Sequence, residues 1–392
     1  MRDLLLRNEN FDIDIVIEGD GIRFAEELTR RFGLKMRPHK EFGTAKVLYP
    51  DGFKIDVATA RLEYYRAPAT MPVVEHSSLK LDLYRRDFTI NTLAISLNKN
   101  TWGELIDFFA AQRDVKDKVI RVLHSLSFVE DPTRVFRAVR FEQRFGFQIG
   151  KYTLNLIKNA ISMDFLSMIK GSRVWTELGL ILQEQAPGTI LKRLACLDLV
   201  RFIYPTLTFD REKEKLFREM DNVLGWYTLL YRGTLDRVLY YMIGLVDKMK
   251  IEEITEFGKR IEVPDHKKTR LTTETERLRG AMTKLVTGIK HMKKSEVYRV
   301  LNGITREAQL FIMAKASSEE TRKAISTFIT YSDTMKPLVT GKILRTLGIE
   351  EGPVLGEILE ALHDAKIDQN LATKEEELEF VRIYTRARGL AP

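Results

Sequence analysis

The chain has 392 residues, of which 44% are hydrophobic and 30% charged, and its formal net charge is +8 at pH 7. This length allows two to four domains with buried cores, and the composition excludes a disordered chain. A single cysteine, Cys196, excludes a disulfide framework and fits a reducing, cytoplasmic compartment; no apolar run is long enough for a membrane partner to be expected. The positive charge favours a polyanionic partner, most simply a nucleic acid.

The first predicted strand carries two acidic residues. Residues 11–17 (FDIDIVI) are rich in Val and Ile, and Asp12 and Asp14 are two positions apart, so both side chains point to one face of the strand. Two ionised carboxylates side by side repel each other, and a divalent metal between them is the simplest remedy. The alternative is an edge strand with two solvated aspartates, which is the commoner meaning of an isolated D-x-D.

A third acidic residue is predicted on the same small sheet. After a helix that ends at Gly33, two strands around residues 45–49 and 53–58 are joined by the turn at residues 50–52, and the second carries Asp56. A third carboxylate would suit a two-metal phosphoryl-transfer site, because each ion needs several oxygen ligands. An equally weighted alternative places Asp56 on the outer face of a simple hairpin.

Residues 61–83 show no periodicity and predict a long loop, in which the lone His76 is expected to be solvated. Residues 83–94 (LYRRDFTINTLA) follow. Here two adjacent arginines, with Asp, Thr and Asn after them, can offer fixed donors to phosphate and ribose oxygens. The alternative is an ordinary charged helix start.

Residues 130–141 (EDPTRVFRAVRF) predict a capped helix, with Asp131 as the N-cap and Pro132 as the first helical residue. Arginines recur every three or four positions and form a basic stripe along one side of this helix. These are Arg134, Arg137, Arg140 and Arg144. The alternative is an amphipathic helix with a solvated arginine face.

Beyond residue 150 the sequence predicts successive helices with no further sheet. Amphipathic runs at 154–161, 174–183 and 190–199 are followed by breaks at Pro205, Pro264 and Gly341. The predicted fold class is therefore α+β, with a small mixed sheet at the N-terminal end and helices after it.

Four of these segments, taken together and in order, resemble the class II tRNA nucleotidyltransferase and bacterial poly(A) polymerase family. Arg2-Asp3 is similar to the end of the family's G-G-x-V-R-D signature, and residues 12–14 are similar to its D-x-D. Residues 85–91 match its R-R-D-x-T-x-N, and residues 130–134 match its E-D-x-x-R. Each segment is modest alone, but the four in this order are specific.

The resemblance implies an arrangement of four parts. These are a polymerase-beta-like nucleotidyltransferase head at residues 1–110, a helical neck with the nucleotide-selecting helix at 111–185, a helical body at 186–275, and a helical RNA-binding tail at 276–392.

The resemblance also implies roles for individual residues. Asp12 and Asp14 would bind Mg²⁺, and Asp56 is the candidate third catalytic carboxylate. The residues implied at the nucleotide are Arg2, Arg86, Asp87, Asn91, Asp131, Arg134, Arg137 and Arg140. Asp131 and Arg134 would contact the base edge. Adenine and cytosine both present an amino donor beside a ring acceptor, so an acceptor next to a donor selects ATP or CTP over GTP and UTP.

The implied reaction is attack by an RNA 3′-hydroxyl on the α-phosphate of an incoming nucleotide, with the 3′ end of tRNA as the expected partner. ATP is the expected nucleotide, and CTP is the further candidate. A poly(A) polymerase acting on general RNA is the alternative within the family, and a catalytically weak RNA-binding module is the alternative outside it. The oligomeric state is not indicated.

The sequence departs from the family at its start, because Met1 occupies the position just before Arg2 and the two glycines of the signature are absent. Such glycines let backbone amides approach a triphosphate. We therefore expect this chain to be the C-terminal portion of a longer polypeptide.

Overall fold

The computed structural model describes residues 1–8, 13–65, 67, 70, 72–231, 233–332 and 335–389. The chain divides into two compact units, Met1–Phe209 and Asp210–Pro392. The predicted strand of residues 11–17 is confirmed over Ile13–Ile17, whereas Asp12 lies outside the described residues.

The first unit combines strands and helices. Its strands are β1 (Ile13–Ile17), β2 (Lys35–His39), β3 (Thr44–Leu48), β4 (Lys54–Thr59), β5 (Arg61–Tyr64), β6 (Val73–His76), β7 (Ala94–Ile95), β8 (Leu105–Ile106), β9 (Val119–Ile120) and β10 (Gln148–Ile149). Its helices are α1 (Arg2–Leu5), α2 (Gly21–Phe32), α3 (Leu79–Tyr84), α4 (Ala111–Lys116), α5 (Ser127–Glu130), α6 (Thr133–Phe145), α7 (Lys151–Ser162), α8 (Gly171–Gln183), α9 (Pro187–Cys196) and α10 (Val200–Ile203).

The main sheet has four strands in the order β1-β4-β3-β2, and only the β1–β4 pair is parallel. One face packs against α2, where Ala25 meets Ala45, Val47 and Val57 in a small buried core. The polar residues that alternate with this core lie on the opposite face, which we call the open face. Helix and sheet touch closely at Gly21, whose amide donates to the Thr59 hydroxyl and where a Cβ would lie 2.8 Å from the Thr59 nitrogen.

The prediction of a loop over residues 61–83 is wrong for most of that range. Strands β5 and β6 pair antiparallel there, and α3 begins at Leu79. Each strand is only four residues long, and the pattern of β5 is mostly polar, so the alternation was too short to indicate a hairpin. The sequence analysis also missed β2, because Pro38 is unusual within a strand; β2 is an edge strand, where proline is tolerated.

Within the described residues of the second unit, every regular element is a helix. Its helices are α11 (Arg211–Leu230), α12 (Arg237–Val246), α13 (Ile251–Arg260), α14 (Asp265–Gly288), α15 (Lys294–Asn302), α16 (Arg306–Lys315), α17 (Glu319–Tyr331), α18 (Gly341–Thr346), α19 (Pro353–Gln369) and α20 (Lys374–Arg388). Residues Leu344, Leu362 and Val381 form a core near its C-terminal end, and Lys366 pairs with the buried Glu377 at 2.5 Å.

The predicted fold class, a small sheet followed by helices, is confirmed. The amphipathic runs predicted after residue 150 correspond to α7, α8 and α9. The four-part division at residues 110, 185 and 275 stays a prediction. Of the helices in the described ranges, none has the length and apolar character needed to cross a membrane.

Candidate active site

An open cleft of 1620 Å³ lies within the first unit. It is lined by β1, by the segment that follows α3, by the β7–β8 hairpin and by the facing sides of α6 and α8. The predicted site residues on its wall are Arg2, Asp14, Arg86, Asp87, Asn91, Asp131, Arg134 and Arg137. Segments that are far apart in sequence therefore meet at one surface. Asp56 and Arg140 are not among the lining residues.

Asp14 and Asp56 stand side by side on the open face of the sheet, because they are paired in register across the parallel strands β1 and β4. Both are exposed, and Lys46 of β3 lies 3.3 Å from the Asp56 carboxylate. Carboxylate oxygens are the ligands that Mg²⁺ prefers, so the donor type fits this ion. Among the residues that the structure describes, no group of three acidic, His or Cys side chains forms a ready metal site. Asp12 is not among them.

Asn91 connects the two arginines that are predicted to meet the triphosphate. Its side-chain oxygen accepts a hydrogen bond from Arg2, and its backbone carbonyl accepts one from Arg86 at 3.1 Å. Arg2 also pairs with Asp3 at 2.8 Å, and its guanidinium lies 4.4 Å from the ring centre of Phe145. These contacts fix two cations on the cleft wall before any ligand arrives.

The carboxylate of Asp87 lies at the centre of the same wall. It accepts two hydrogen bonds from Arg137, at 2.8 and 2.6 Å, and one from the Asn91 amide at 2.7 Å. Burial alone would raise the pKa of the Asp87 carboxyl, but the Arg137 guanidinium and the Asn91 amide outweigh burial and hold this pKa below its usual value. Asp87 is therefore an ionised anchor that orients Asn91 and Arg137.

Asp131 and Arg134 are held by different partners. The Asp131 carboxylate accepts hydrogen bonds from the Thr133 backbone at 3.0 Å and from Arg173 of α8 at 2.7 Å. Arg134 is buried and donates to the Arg85 carbonyl at 2.7 Å and to the Ser127 hydroxyl at 2.8 Å.

The helix start was predicted one residue too early. Helix α6 begins at Thr133, with Pro132 as its N-cap. The Asp131 side chain still satisfies a backbone amide of the first turn, as an Asx turn does.

The arginine stripe of α6 is only partly solvated. Arg144 is exposed, but Arg140 is buried and donates to Glu184 at 3.2 Å, behind the cleft wall. Arg140 is therefore not positioned to contact a nucleotide in the cleft, because its guanidinium pairs with Glu184 and Glu177. The alternative interpretation, a helix with a solvated arginine face, is also wrong for Arg134 and Arg140, because both are buried.

Glu177 is a cleft residue that the sequence analysis missed. It is 7% exposed, and its Oε2 atom accepts no hydrogen bond within the part of the chain that the structure describes. Burial raises the pKa of its carboxyl, although Arg137 and Arg140 oppose this. Glu177 and Arg173 are four positions apart on α8, so both face α6. That spacing was the only signal in the sequence.

Tyr65, at the end of β5, is a further lining residue that was missed. Burial raises the pKa of its hydroxyl to about 12, although Arg134 opposes this, so the side chain is a neutral donor at physiological pH. Its hydroxyl lies 3.4 Å from the Glu63 carboxylate. A single aromatic residue in a segment without periodicity gave no signal.

Comparison with known proteins is consistent with this arrangement. The family model described as the Poly A polymerase head domain matches residues 1–121. The chain is 44% identical to the A-adding tRNA nucleotidyltransferase of Geobacter sulfurreducens over 96% of its length, and 34% identical to that of Aquifex aeolicus over 92%. It spans 43% of the length of each of these two relatives.

A solved structure extends the similarity over nearly the whole chain. The Thermotoga maritima CCA-adding enzyme in complex with tRNA has a TM-score of 0.76 and 34% identity. The alignment covers 98% of this chain and 89% of that one. The chain belongs to the class II tRNA nucleotidyltransferase and bacterial poly(A) polymerase family.

Proposed function

We propose that the protein is a template-independent nucleotidyltransferase that adds A, or C and A, to the 3′ end of tRNA in the cytoplasm. One observation carries the proposal: a single cleft brings together the strand of Asp14, the Arg86–Asn91 segment and the start of α6. The A-adding activity named for the two curated relatives favours A among the nucleotides.

Arg2 and Arg86 would hold the triphosphate. Both line the cleft, and both are fixed through Asn91, which is itself held by the ionised Asp87. Fixed cations need no rearrangement when a charged ligand arrives, and such prearrangement favours transition-state charge. This chain of contacts stays in place over the pH range in which Asp87 is ionised, and Arg137 and Asn91 widen that range because they lower the pKa of its carboxyl.

Asp14 and Asp56, together with Asp12, would hold Mg²⁺. When bound, the ion would lower the pKa of the attacking 3′-hydroxyl and offset charge on the departing pyrophosphate. The residues of this chain would do the rest of the work, which is to align the hydroxyl, the α-phosphate and the base for in-line attack.

Asp131 and Arg134 would select the base, and their contacts leave capacity for it. An ionised carboxylate has about four acceptor sites, and a guanidinium has five donor hydrogens, so neither is exhausted by the contacts described above. The amino group of adenine or cytosine would donate to Asp131. A guanine or uracil edge would leave buried polar groups unpaired, at a cost of roughly 1–3 kcal/mol each.

A poly(A) polymerase acting on general RNA is the second candidate function. The match of residues 1–121 to a family model described as the Poly A polymerase head domain favours it. Both functions would use the same base edge, so only the RNA substrate and the number of added nucleotides separate them.

The deciding experiment measures incorporation of each labelled nucleotide, with Mg²⁺, into tRNA transcripts that end at the discriminator base, at C, at CC and at CCA. An unstructured RNA is tested beside them. We expect one A to be added to the CC end, and full CCA would identify the complete repair activity. Long A tracts on any RNA would support the polymerase, and RNA binding without incorporation would support the catalytically weak RNA-binding module.

A further inference from the structure

The open face of the sheet carries a row of charges that changes sign. Strand register pairs Asp14 with Asp56, and Asp56 with Lys46. Lys46 is paired in turn with Arg37 of β2. Because directly paired residues point to the same face, these side chains form one line across all four strands. The line begins with two carboxylates and ends with two cations at the edge of the sheet.

This row leads away from the cleft. Asp14 lines the cleft wall, whereas Asp56, Lys46 and Arg37 do not. Neighbouring strands are about 4.8 Å apart, so Lys46 lies about one spacing beyond Asp56 and Arg37 about two. A molecule that reaches the carboxylates from the side opposite the cleft must therefore cross these cations.

Further cations widen the row. Lys35 and Lys54 lie on the same face, two positions along the strands from Arg37 and Asp56. Within the described ranges, the side chains of Lys35, Lys54 and Arg37 form no hydrogen bond and no ion pair. Lys46 does pair with Asp56, but both side chains are about half exposed, and such an exposed pair is weak.

Protection of an exposed sheet edge is the simpler explanation for part of this pattern. Charged residues on an edge strand discourage pairing with another chain, and Lys35 and Arg37 lie on the edge strand β2. That explanation does not cover Lys46, which lies on the inner strand β3 and continues the row toward the carboxylates. Strands β2 and β3 also contain no acidic residue.

We propose that this basic row, made of Lys46, Arg37, Lys35 and Lys54, binds the phosphate backbone of the RNA strand whose 3′ end is extended. The inference rests on the proposed function. The incoming triphosphate occupies the cleft side of Asp14, and the 3′-hydroxyl has to reach the carboxylates, so the preceding phosphates must lie on the remaining side. Lysine and arginine are the usual phosphate contacts, and they position the strand without reading its sequence.

The test compares two charge reversals in the full chain. Arg37→Glu changes the basic row, while Arg31→Glu makes the same charge change at an exposed residue in the last turn of α2, the helix on the other face of the sheet. Both substitutions change the net charge of the protein by the same amount, so a difference between their effects on RNA binding reports a local contact. The RNA is a tRNA transcript ending in CC, and binding is measured directly at several salt concentrations as well as by turnover.

We expect Arg37→Glu to raise the KM for RNA about tenfold and to lower the slope of log affinity against log salt by about one, with the KM for ATP unchanged. Arg31→Glu should change each value less than about twofold. Equal effects of the two reversals, or a change confined to the KM for ATP, would overturn the proposal that the basic row binds RNA phosphates. If the unaltered chain incorporates no nucleotide, the proposed function fails. The dependence of RNA affinity on salt in the two variants then tests RNA binding by the basic row separately.

Discussion

The open face of the sheet and the wall formed by α6 both carry charged residues, but they hold them in opposite ways. On the open face, Asp14, Asp56 and Arg37 are exposed. The α6 wall consists of Arg134 and Arg137 of α6 and of Asp87, which follows α3 and accepts hydrogen bonds from Arg137. Asp87 and Arg134 are buried and fixed by several hydrogen bonds. Exposed charges contribute little to folding and are accessible to ligands, whereas breaking a buried pair is costly. Substitutions on the open face should therefore change activity, and those on the wall should also change stability.

The largest effect should come from the carboxylates of the open face. We expect Asp14→Asn, and separately Asp56→Asn, to lower Mg²⁺-dependent turnover by about 10³-fold or more, because the loss of an ion's ligand removes several kcal/mol of transition-state stabilisation. The thermal midpoint should stay within a few degrees. Steady-state turnover and a melting curve check both statements.

The control for this pair is Glu41→Gln, which neutralises another exposed acid of the first unit, close to the start of β3. It should keep normal turnover. Near-normal turnover of Asp56→Asn would remove Asp56 from the site while leaving Asp14 in place.

The second effect concerns the α6 wall. Asp87→Asn should lower the free energy of unfolding by about 2 kcal/mol, since the buried position loses the charged acceptor of two hydrogen bonds from Arg137. Chemical denaturation measures this loss. The exposed Asp117→Asn should change the same quantity by less than about 0.5 kcal/mol, and an equally small change for Asp87→Asn would contradict the idea of a buried anchor.

The same residue predicts a dependence on pH. The folded pKa of Asp87 is depressed, so its contribution is present above the unfolded pKa and is lost as the pH falls through the folded pKa. Asp87→Asn should therefore flatten the acid side of the stability curve. The comparison is made by denaturation at a series of acidic pH values.

A third effect connects the wall to the choice of nucleotide. We expect Arg173→Ala to reduce the preference for ATP over GTP about tenfold, because Asp131 loses the partner that orients its carboxylate. The ratio of kcat/KM values for the two nucleotides reports it. Arg201→Ala, which breaks an exposed pair with Asp198, should leave the ratio unchanged.

The smallest effect should have the opposite sign. The folded pKa of Glu177 is raised, so its contribution to stability is present below the unfolded pKa and is lost as the pH rises through the folded pKa. Glu177→Gln should therefore raise the free energy of unfolding near neutral pH and leave it unchanged in acid. A destabilised variant at neutral pH would show that Arg137 and Arg140 depend on this charge.

The sequence predicted what depends on local pattern. The strand that carries Asp14, the hairpin that carries Asp56 and the helices after residue 150 follow from periodicity and turn residues, and each was found where it was expected within the described residues. The predicted site residues that the structure describes also line one cleft, apart from Asp56 and Arg140.

What the sequence did not predict depends on contacts between distant segments. The environment of Arg140 is set by Glu177 and Glu184, some forty residues later, and no local pattern indicates that a stripe of arginines will be covered by another helix. Arg173 was missed for the same reason. A charge repeat indicates one side of a helix but not what packs against it.

The parallel pairing of β1 with β4 has a consequence for how the site is acquired during folding. Asp14 and Asp56 lie on strands separated in sequence by α2, β2 and β3, so they become neighbours only when β4 pairs with β1. Such non-local pairing is slow, because loop-closure entropy is lost before any contact compensates for it. A chain still emerging from the ribosome therefore does not have Asp14 and Asp56 side by side until β4 has been made, and the candidate metal site appears together with the sheet.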